Sequence, residues 1–355
     1  MTNIPVSIAP AADVFASLEG ICQGRGLDPL AGRLVDLRLF LEDDLAEVER
    51  AIASASHGDS LAQRSARHLL DQEGKRLRPI CVALAARAGT GFNAAARAYA
   101  VSVELVHNAT LLHDDVVDLG DRRRGADAAR VVYGNAASIF GGDWLLVDAL
   151  CRIQAANIPG VIERMLDVIK EMVVAESMQL AGRGRLRAGR SEYFQVVSGK
   201  TAALFRWAMY AGARAGGLDE RATAALERYG DKLGIGFQLV DDLLDVAGDP
   251  GTTGKALLTD LREGKMTYPL ILAMERDREI VPVLEQICAS SEVALDPALG
   301  ARVQKTLAAT RVADDCLDLA TRFCREAAKC LDDLPPSRAR SALEAVALST
   351  PKRSK

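Results

Sequence analysis

Along most of this chain apolar residues recur every three or four positions, and almost nowhere do they alternate with polar ones. Spacing of that kind paints one face of a helix with 3.6 residues per turn, whereas a half-buried strand needs a period of two. The pattern predicts an all-α fold. It starts near Leu30 and is broken near Gly58, Gly74 to Pro79, Gly89 to Gly91, Gly120 to Gly125, Gly141 to Gly142, Pro159, Gly182 to Gly189, Gly216 to Gly217, Gly248 to Gly254 and Gly264. Those breaks leave about ten helices. No Pro/Ser-rich linker divides them, so residues 31–345 are expected to form a single helical domain. Residues 1–30, punctuated by Pro5, Pro10, Gly20, Gly24, Gly26 and Pro29, read as a loose extension, and residues 346–355 as a basic tail.

Composition narrows the partners. Lys and Arg number 44 against 48 Asp and Glu, a net charge of -4, which argues against a nucleic-acid binder. Any anionic ligand must therefore be gripped locally. No apolar run is long enough to cross a membrane and the N-terminus lacks the pattern of a signal peptide, so a cytoplasmic location is expected. The seven cysteines are odd in number and none forms a C-x-x-C pair, which suits reduced thiols acting as small hydrophobes rather than a zinc or redox centre.

Two aspartate clusters carry the chemistry. In Leu111-Leu112-His113-Asp114-Asp115-Val116-Val117-Asp118, Asp114 and Asp118 lie about 40° apart on a helix face that also runs through Thr110 and His107. Phe237-Gln238-Leu239-Val240-Asp241-Asp242-Leu243-Leu244-Asp245 repeats the spacing, putting Asp241 and Asp245 one turn apart with Gln238 one turn earlier. One such cluster is commonly a solvated helix face. Two, each set among large aliphatics in mid-helix, gather carboxylates whose burial and mutual repulsion call for a cation. Hard oxygen donors without a nearby His or Cys set favour magnesium, which usually completes its shell with water and substrate phosphates. The ligand expected is a phosphate ester.

Cations stand near both clusters. Gly74-Lys75-Arg76-Leu77-Arg78-Pro79 places three in four positions ahead of a helix expected to start near Pro79, where side chains and amides together can hold phosphate. Gly120-Asp121-Arg122-Arg123-Arg124-Gly125 directly follows the first cluster, and Lys200-Thr201, Lys255 and Lys265 are further single cations. Arg183, Arg185, Arg187 and Arg190 read as a solvated loop, and Glu176 and Gln179 as an ordinary polar pair on a helix.

In this order and over roughly residues 70 to 275, these motifs resemble the trans-isoprenyl diphosphate synthases, or polyprenyl synthetases. The resemblance rests on Gly74 to Pro79, His107, Asp114 to Asp118 with Arg123-Arg124-Gly125, Lys200-Thr201, Gly236-Phe237-Gln238 ahead of Asp241 to Asp245, Gly254-Lys255, and Asp260 to Lys265. It implies a helical bundle with a central active-site cavity. It also implies head-to-tail addition of isopentenyl diphosphate to an allylic prenyl diphosphate, with three magnesium ions. By that resemblance Asp114, Asp118, Asp241 and Asp245 are metal ligands, while Asp115, Asp242 and Lys200 join them in catalysis. Lys75, Arg78, His107 and Arg124 would bind isopentenyl diphosphate. Arg123, Lys200, Thr201, Gln238, Lys255 and Lys265 would bind the allylic diphosphate. A homodimer is implied as well, and glycine-rich stretches around Gly182 to Gly189 and Gly248 to Gly254 are candidate lids.

Small residues where short-chain members of the family place an aromatic floor, Ala109 with Thr110 beside it and Val106 deeper, imply products beyond fifteen carbons. Trp144 is the residue that threatens this reading, since an inward indole would form a lower floor. The alternatives are a short-chain farnesyl or geranylgeranyl diphosphate synthase, a class I terpene cyclase and a non-catalytic partner subunit. A cyclase has no use for the Gly74 to Pro79 loop, and a partner subunit typically loses its aspartates.

Overall fold

Several helices in this chain are started by their own side chains. Ser60 and Gln63 form a reciprocal capping box that opens the helix at Leu61, and the Asn93 side chain takes the Ala96 amide at 2.9 Å where the next long helix begins. The computed structural model describes residues 28–55, 57–72, 74, 76–186, 189–248, 257–289 and 295–354, with side chains from 36 to 352. Lys75, Arg187, Lys255, the stretch 249–254 and nearly all of the expected N-terminal extension lie outside the described residues.

The helices are α1 (Asp28–Ala53), α2 (Leu61–Leu70), α3 (Leu77–Arg87), α4 (Ala94–Val117), α5 (Ala129–Tyr133), α6 (Asn135–Ala156), α7 (Val161–Gly182) and α8 (Arg190–Val197). They continue with α9 (Ala203–Ala215), α10 (Glu220–Ala247), α11 (Thr259–Arg262), α12 (Tyr268–Arg276), α13 (Val281–Ala289), α14 (Pro297–Ala309), α15 (Val312–Cys330) and α16 (Arg338–Ser349). A π-helical turn at Ser198–Ala202 joins α8 to α9. Among the described residues the sole strands are the two-residue hairpin β1 (Arg122–Arg123) and β2 (Ala126–Asp127). The all-α expectation holds. Helical structure also continues past residue 346, where a basic tail is expected: a 3-10 turn spans Thr350–Ser354, and the Thr350 hydroxyl donates to the Val346 carbonyl at 2.8 Å.

The chain forms two compact units, each assembled from segments distant in sequence. The first takes residues 1–162, 208–223 and 336–345; the second takes 163–207, 224–335 and 346–355. In the first, α4 and α6 approach closely enough for the Ser102 hydroxyl to reach the Ala149 carbonyl at 3.1 Å and the Ser138 hydroxyl to reach the Leu112 carbonyl at 2.8 Å. In the second, Leu239, Val240 and Val246 of α10 pack with Tyr193, Leu270, Leu284, Val303 and Cys316 from four or more other elements. Each fully buried Leu or Val contributes roughly 1.5–3 kcal/mol, against about 0–1 for an exposed ion pair, so apolar burial holds each unit together. Cys81, Cys316 and Cys324 are buried in such packing, whereas Cys151 is exposed. All six described thiols are free, and burial pushes Cys81, Cys316 and Cys324 up to about 12, far from a reactive thiolate.

Candidate active site

Both aspartate clusters occupy the C-terminal turns of their helices. α4 ends at Val117 with Asp118 as its cap, the Asp118 amide bonding the Asp114 carbonyl at 2.7 Å, and Leu119 then turns the chain out through a left-handed φ of 55°. The first cluster is thus at a helix end rather than in mid-helix. α10 ends at Ala247, two residues beyond Asp245, and neither helix has a basic residue in its last turn. Carboxylates there meet the negative end of the helix dipole, which costs about 0.3–1 kcal/mol each where a cation is the usual occupant. The position makes sense for groups that wait for a cation.

Around the first cluster, Asp115 is buried, with its side chain 1% exposed, and burial raises its carboxyl in spite of Arg123. Arg123 Nε and Nη2 both donate to its Oδ1, at 2.8 and 2.5 Å, and its Oδ2 is buried without a hydrogen-bond partner. Arg123 is delivered by the β1–β2 hairpin. The two turn residues, Arg124 and Gly125, have φ of 49° and 83°, the left-handed pair that a two-residue hairpin requires and that glycine adopts without strain. Arg124 turns to the Gln72 carbonyl, 3.3 Å from its Nη1, and its guanidinium packs against Gly74.

The basic loop opens α3, which starts at Leu77, two residues earlier than Pro79 suggests. Arg76 is buried in the left-handed region and its guanidinium is committed to Glu49 and Glu104, so it is not presented outward as the sequence suggests for three neighbouring cations. His107, on the open stripe of α4, is held well below the ordinary histidine value by burial and then by Arg78, against the pull of Glu104. It is a neutral hydrogen-bonding group in a cationic surround.

The second unit contains a cavity of about 130 Å³ whose lining includes Lys200, Thr201, Gln238, Asp242, Asp260 and Lys265. Asp242 is locked. Its Oδ2 accepts the Tyr193 hydroxyl at 2.6 Å, its Oδ1 accepts the Gln238 amide at 2.7 Å, and Gln238 Oε1 accepts the Thr201 hydroxyl at 2.7 Å. Asp245 Oδ1 accepts the Thr259 amide at 3.0 Å, tying α10 to the start of α11. Burial, then the charge of Asp260, pushes Asp242 up to about 7 and Asp245 up to about 8. Asp242, Asp245 and Asp260 thus lie close enough, away from bulk water, for their charges to act on one another. Lys200 sits in the π-helical turn, 3.0 Å from Gln179 Oε1 and ion-paired to Glu176, which gives those two α7 residues a specific role as its partners. Lys265 Nζ pairs with Glu263 at 2.7 Å.

Each unit thus carries an acidic helix end, with an arginine hairpin in the first and a lysine-lined cavity in the second. Residues 59–297 match the Polyprenyl synthetase family, 239 of the 355 in the chain. The chain belongs to that family. Among its relatives, heptaprenyl diphosphate synthase component 2 of Geobacillus stearothermophilus is 32% identical over 88% of this chain and 97% of its own. Geranylgeranyl diphosphate synthase of Methanosarcina mazei is 38% identical over 60% of this chain and 67% of its own. A polyprenyl synthase from Caulobacter crescentus CB15, solved with calcium and isoprenyl diphosphate, superposes with a TM-score of 0.84 at 34% identity, covering 90% of this chain and 97% of that one. As a polyprenyl synthetase the chain is a prenyltransferase that makes longer polyprenyl diphosphates.

Within this polyprenyl synthetase the first unit gathers Asp114, Asp115, Asp118, Arg123, Arg124, Arg78 and His107, and the second gathers Lys200, Thr201, Gln238, Asp242 and Lys265 at one cavity. Asp241 and Asp245 belong to the second unit but are outside the lining of that cavity. Ala109 and Val106 are buried, Thr110 is partly so, and Trp144 on α6 is 42% exposed. Tyr193 and Asp260 escape a motif reading as site residues. The signal available for Asp260 was its place ahead of Gly264-Lys265; Tyr193 had none, because its bond to Asp242 spans 49 residues. Among the described residues no three His, Cys, Asp or Glu side chains converge to hold a cation unaided.

Proposed function

We propose that this protein is a magnesium-dependent trans-prenyltransferase that adds isopentenyl diphosphate head-to-tail to an allylic prenyl diphosphate, giving products longer than fifteen carbons. The observation that carries the reading is the pair of aspartate clusters, each at a helix C-terminus with no basic residue in the last turn. Their donor set fits magnesium: hard oxygens, an unpartnered buried Asp115 Oδ2 and, among the described residues, no ready-made protein cage, so that water and substrate phosphates would complete the shell.

Asp114, Asp118, Asp241 and Asp245 would hold the metal, with three ions expected once substrate is bound. Magnesium held by them would supply the positive charge that neutralises the allylic diphosphate as it leaves. Arg123, Lys200, Lys255 and Lys265 supply the remaining positive charge, with Thr201 and Gln238 alongside them as hydrogen-bonding groups. Asp115 holds Arg123 in place, and Asp242 does the same for Gln238. Lys75, Arg78, His107 and Arg124 bind isopentenyl diphosphate and aim its double bond at the allylic carbon, so that orientation supplies much of the rate. His107 acts as a neutral donor. No side chain is needed as nucleophile, and the departed diphosphate accepts the final proton. Residues 31–345 are proposed as one catalytic domain.

We also propose a homodimer in the cytoplasm; no described helix is long and apolar enough to cross a membrane. Ile139, Phe140, Trp144 and Val147 form an exposed apolar stripe along α6, and covering such a stripe is what a second copy achieves. The name of the Geobacillus relative supports one specific second reading, a chain that works only with a different subunit.

The test is incubation of the purified chain with magnesium, isopentenyl diphosphate and primers of five, ten and fifteen carbons, with chromatography of the products and light scattering on the same sample. Elongation by a particle of twice 37.9 kDa is the expected result. Failure with every primer refutes the reading, and activity that appears only when a second protein is added establishes the alternative.

A further inference from the structure

Among the described cations of the Gly74 to Pro79 loop, Arg76 is the one turned wholly inward. Its side chain is 5% exposed, its Nε meets Glu49 Oε1 at 2.8 Å with Nη2 3.3 Å from Oε2, and its Nη1 meets Glu104 Oε1 at 2.8 Å. Glu49 is on α1 and Glu104 on α4, one helical turn before Asn108 and three residues before His107. Glu104 is itself buried, with Asn108 Nδ2 2.7 Å from its carbonyl and 3.3 Å from its Oε1. One guanidinium thus joins two helices and the loop.

The backbone is shaped around that fork. Arg76 holds a left-handed φ of 46°, which an L side chain adopts only under constraint. A Cβ on Gly74 would stand 2.8 Å from Arg76 Nη1 and 3.3 Å from Arg124 Cζ, so only glycine lets both arginines close over the chain at that point. Only the planar Arg fork can serve two carboxylates in these directions at once; the single ammonium of Lys cannot.

We propose that Arg76, held by Glu49 and Glu104, is a positioning residue for the isopentenyl diphosphate site: it fixes the Gly74 to Pro79 loop against α4, so that Arg78 and Arg124 stand beside His107, and does not touch the substrate. The inference rests on the assignment of Lys75, Arg78, His107 and Arg124 to isopentenyl diphosphate.

The account separates from direct phosphate binding by sign. If Arg76 were a ligand in waiting, neutralising its partner with Glu104→Gln would release it and tighten isopentenyl diphosphate binding. If it positions the loop, the same change loosens the clamp and weakens binding. The experiment is titration of isopentenyl diphosphate, without metal or primer, into the full chain and its Arg76→Lys, Glu104→Gln and doubly substituted variants. The Michaelis constant for the allylic primer is measured alongside. Each single change should weaken isopentenyl diphosphate binding about tenfold with the primer constant within about twofold, and the double variant should be no weaker than the poorer single, the non-additivity of one linked unit. Should Arg76→Lys fail to fold, Glu49→Gln takes its place. Tighter binding by Glu104→Gln, unchanged binding in all variants, or equal shifts for both substrates would overturn the proposal. A wild-type chain that binds isopentenyl diphosphate without elongating it would sink the proposed function alone.

Discussion

Tyr193 donates its hydroxyl to Asp242 Oδ2 at 2.6 Å, joining α8 to the second aspartate cluster across 49 residues of sequence. With the Gln238 amide on Oδ1, this leaves Asp242 both oxygens occupied and 3% exposed, a group that holds the site rather than one that reaches out of it. Tyr193→Phe keeps the ring and its packing but leaves a buried carboxylate oxygen without a donor, a loss of about 1–3 kcal/mol. Urea unfolding should show that loss, together with reduced turnover. A variant as stable and active as the parent would show that the bond is incidental.

The buried Arg76–Glu104 pair predicts an acid-sensitive fold. Burial alone would raise the Glu104 carboxyl, but Arg76, His107 and the Arg76 hydrogen bond outweigh it and hold it at about 2 against an ordinary 4.5. A depressed folded-state value means stability that is present above pH 4.5 and is lost as the pH falls toward 2, on the order of 3 kcal/mol in all. Unfolding free energy measured across that window should fall for the parent and fall less for Glu104→Gln. Parallel curves would contradict the assignment.

Arg78 separates the two substrates. Arg78→Ala should raise the KM for isopentenyl diphosphate at least about tenfold while the primer KM stays near its starting value. Arg78→Lys should recover only part of the loss, since Lys lacks the bidentate fork. A larger effect on the primer would exchange the two site assignments.

All-α structure and the reaction family were legible in the sequence because a 3.6-residue apolar period and ordered charged motifs are local signals. What stayed hidden depends on contacts between remote segments. Arg76 looks like a third outward cation until Glu49 and Glu104 are seen to claim it. Asp118 looks like a mid-helix residue, since the break read from the sequence begins at Gly120 while the helix already ends at the left-handed turn of Leu119. Tyr193 and Asp260 carry no spacing relation to Asp242, and Lys200 lies in a π-helical turn whose extra residue defeats any count by helical period.

Product length is expected to answer to Ala109. The residue is 2% exposed on α4, five positions before Asp114, with Val106 a turn deeper. Ala109→Phe adds a ring about one turn from the aspartates and should shift the product distribution toward fifteen carbons. Overpacking costs roughly 1–3 kcal/mol of stability, so the ratio of products, not the rate, is the proper readout. An unchanged distribution would move attention to Trp144→Ala.

The central claim is that the two acidic helix ends together ionise the allylic diphosphate. It is tested most directly by turnover at saturating magnesium in Asp114→Ala and Asp241→Ala, with circular dichroism as the check on folding. Removing either carboxylate should leave the helical signal intact and reduce turnover by about three orders of magnitude or more, the scale of losing several kcal/mol of charge stabilisation. Near-normal turnover in either variant would contradict it.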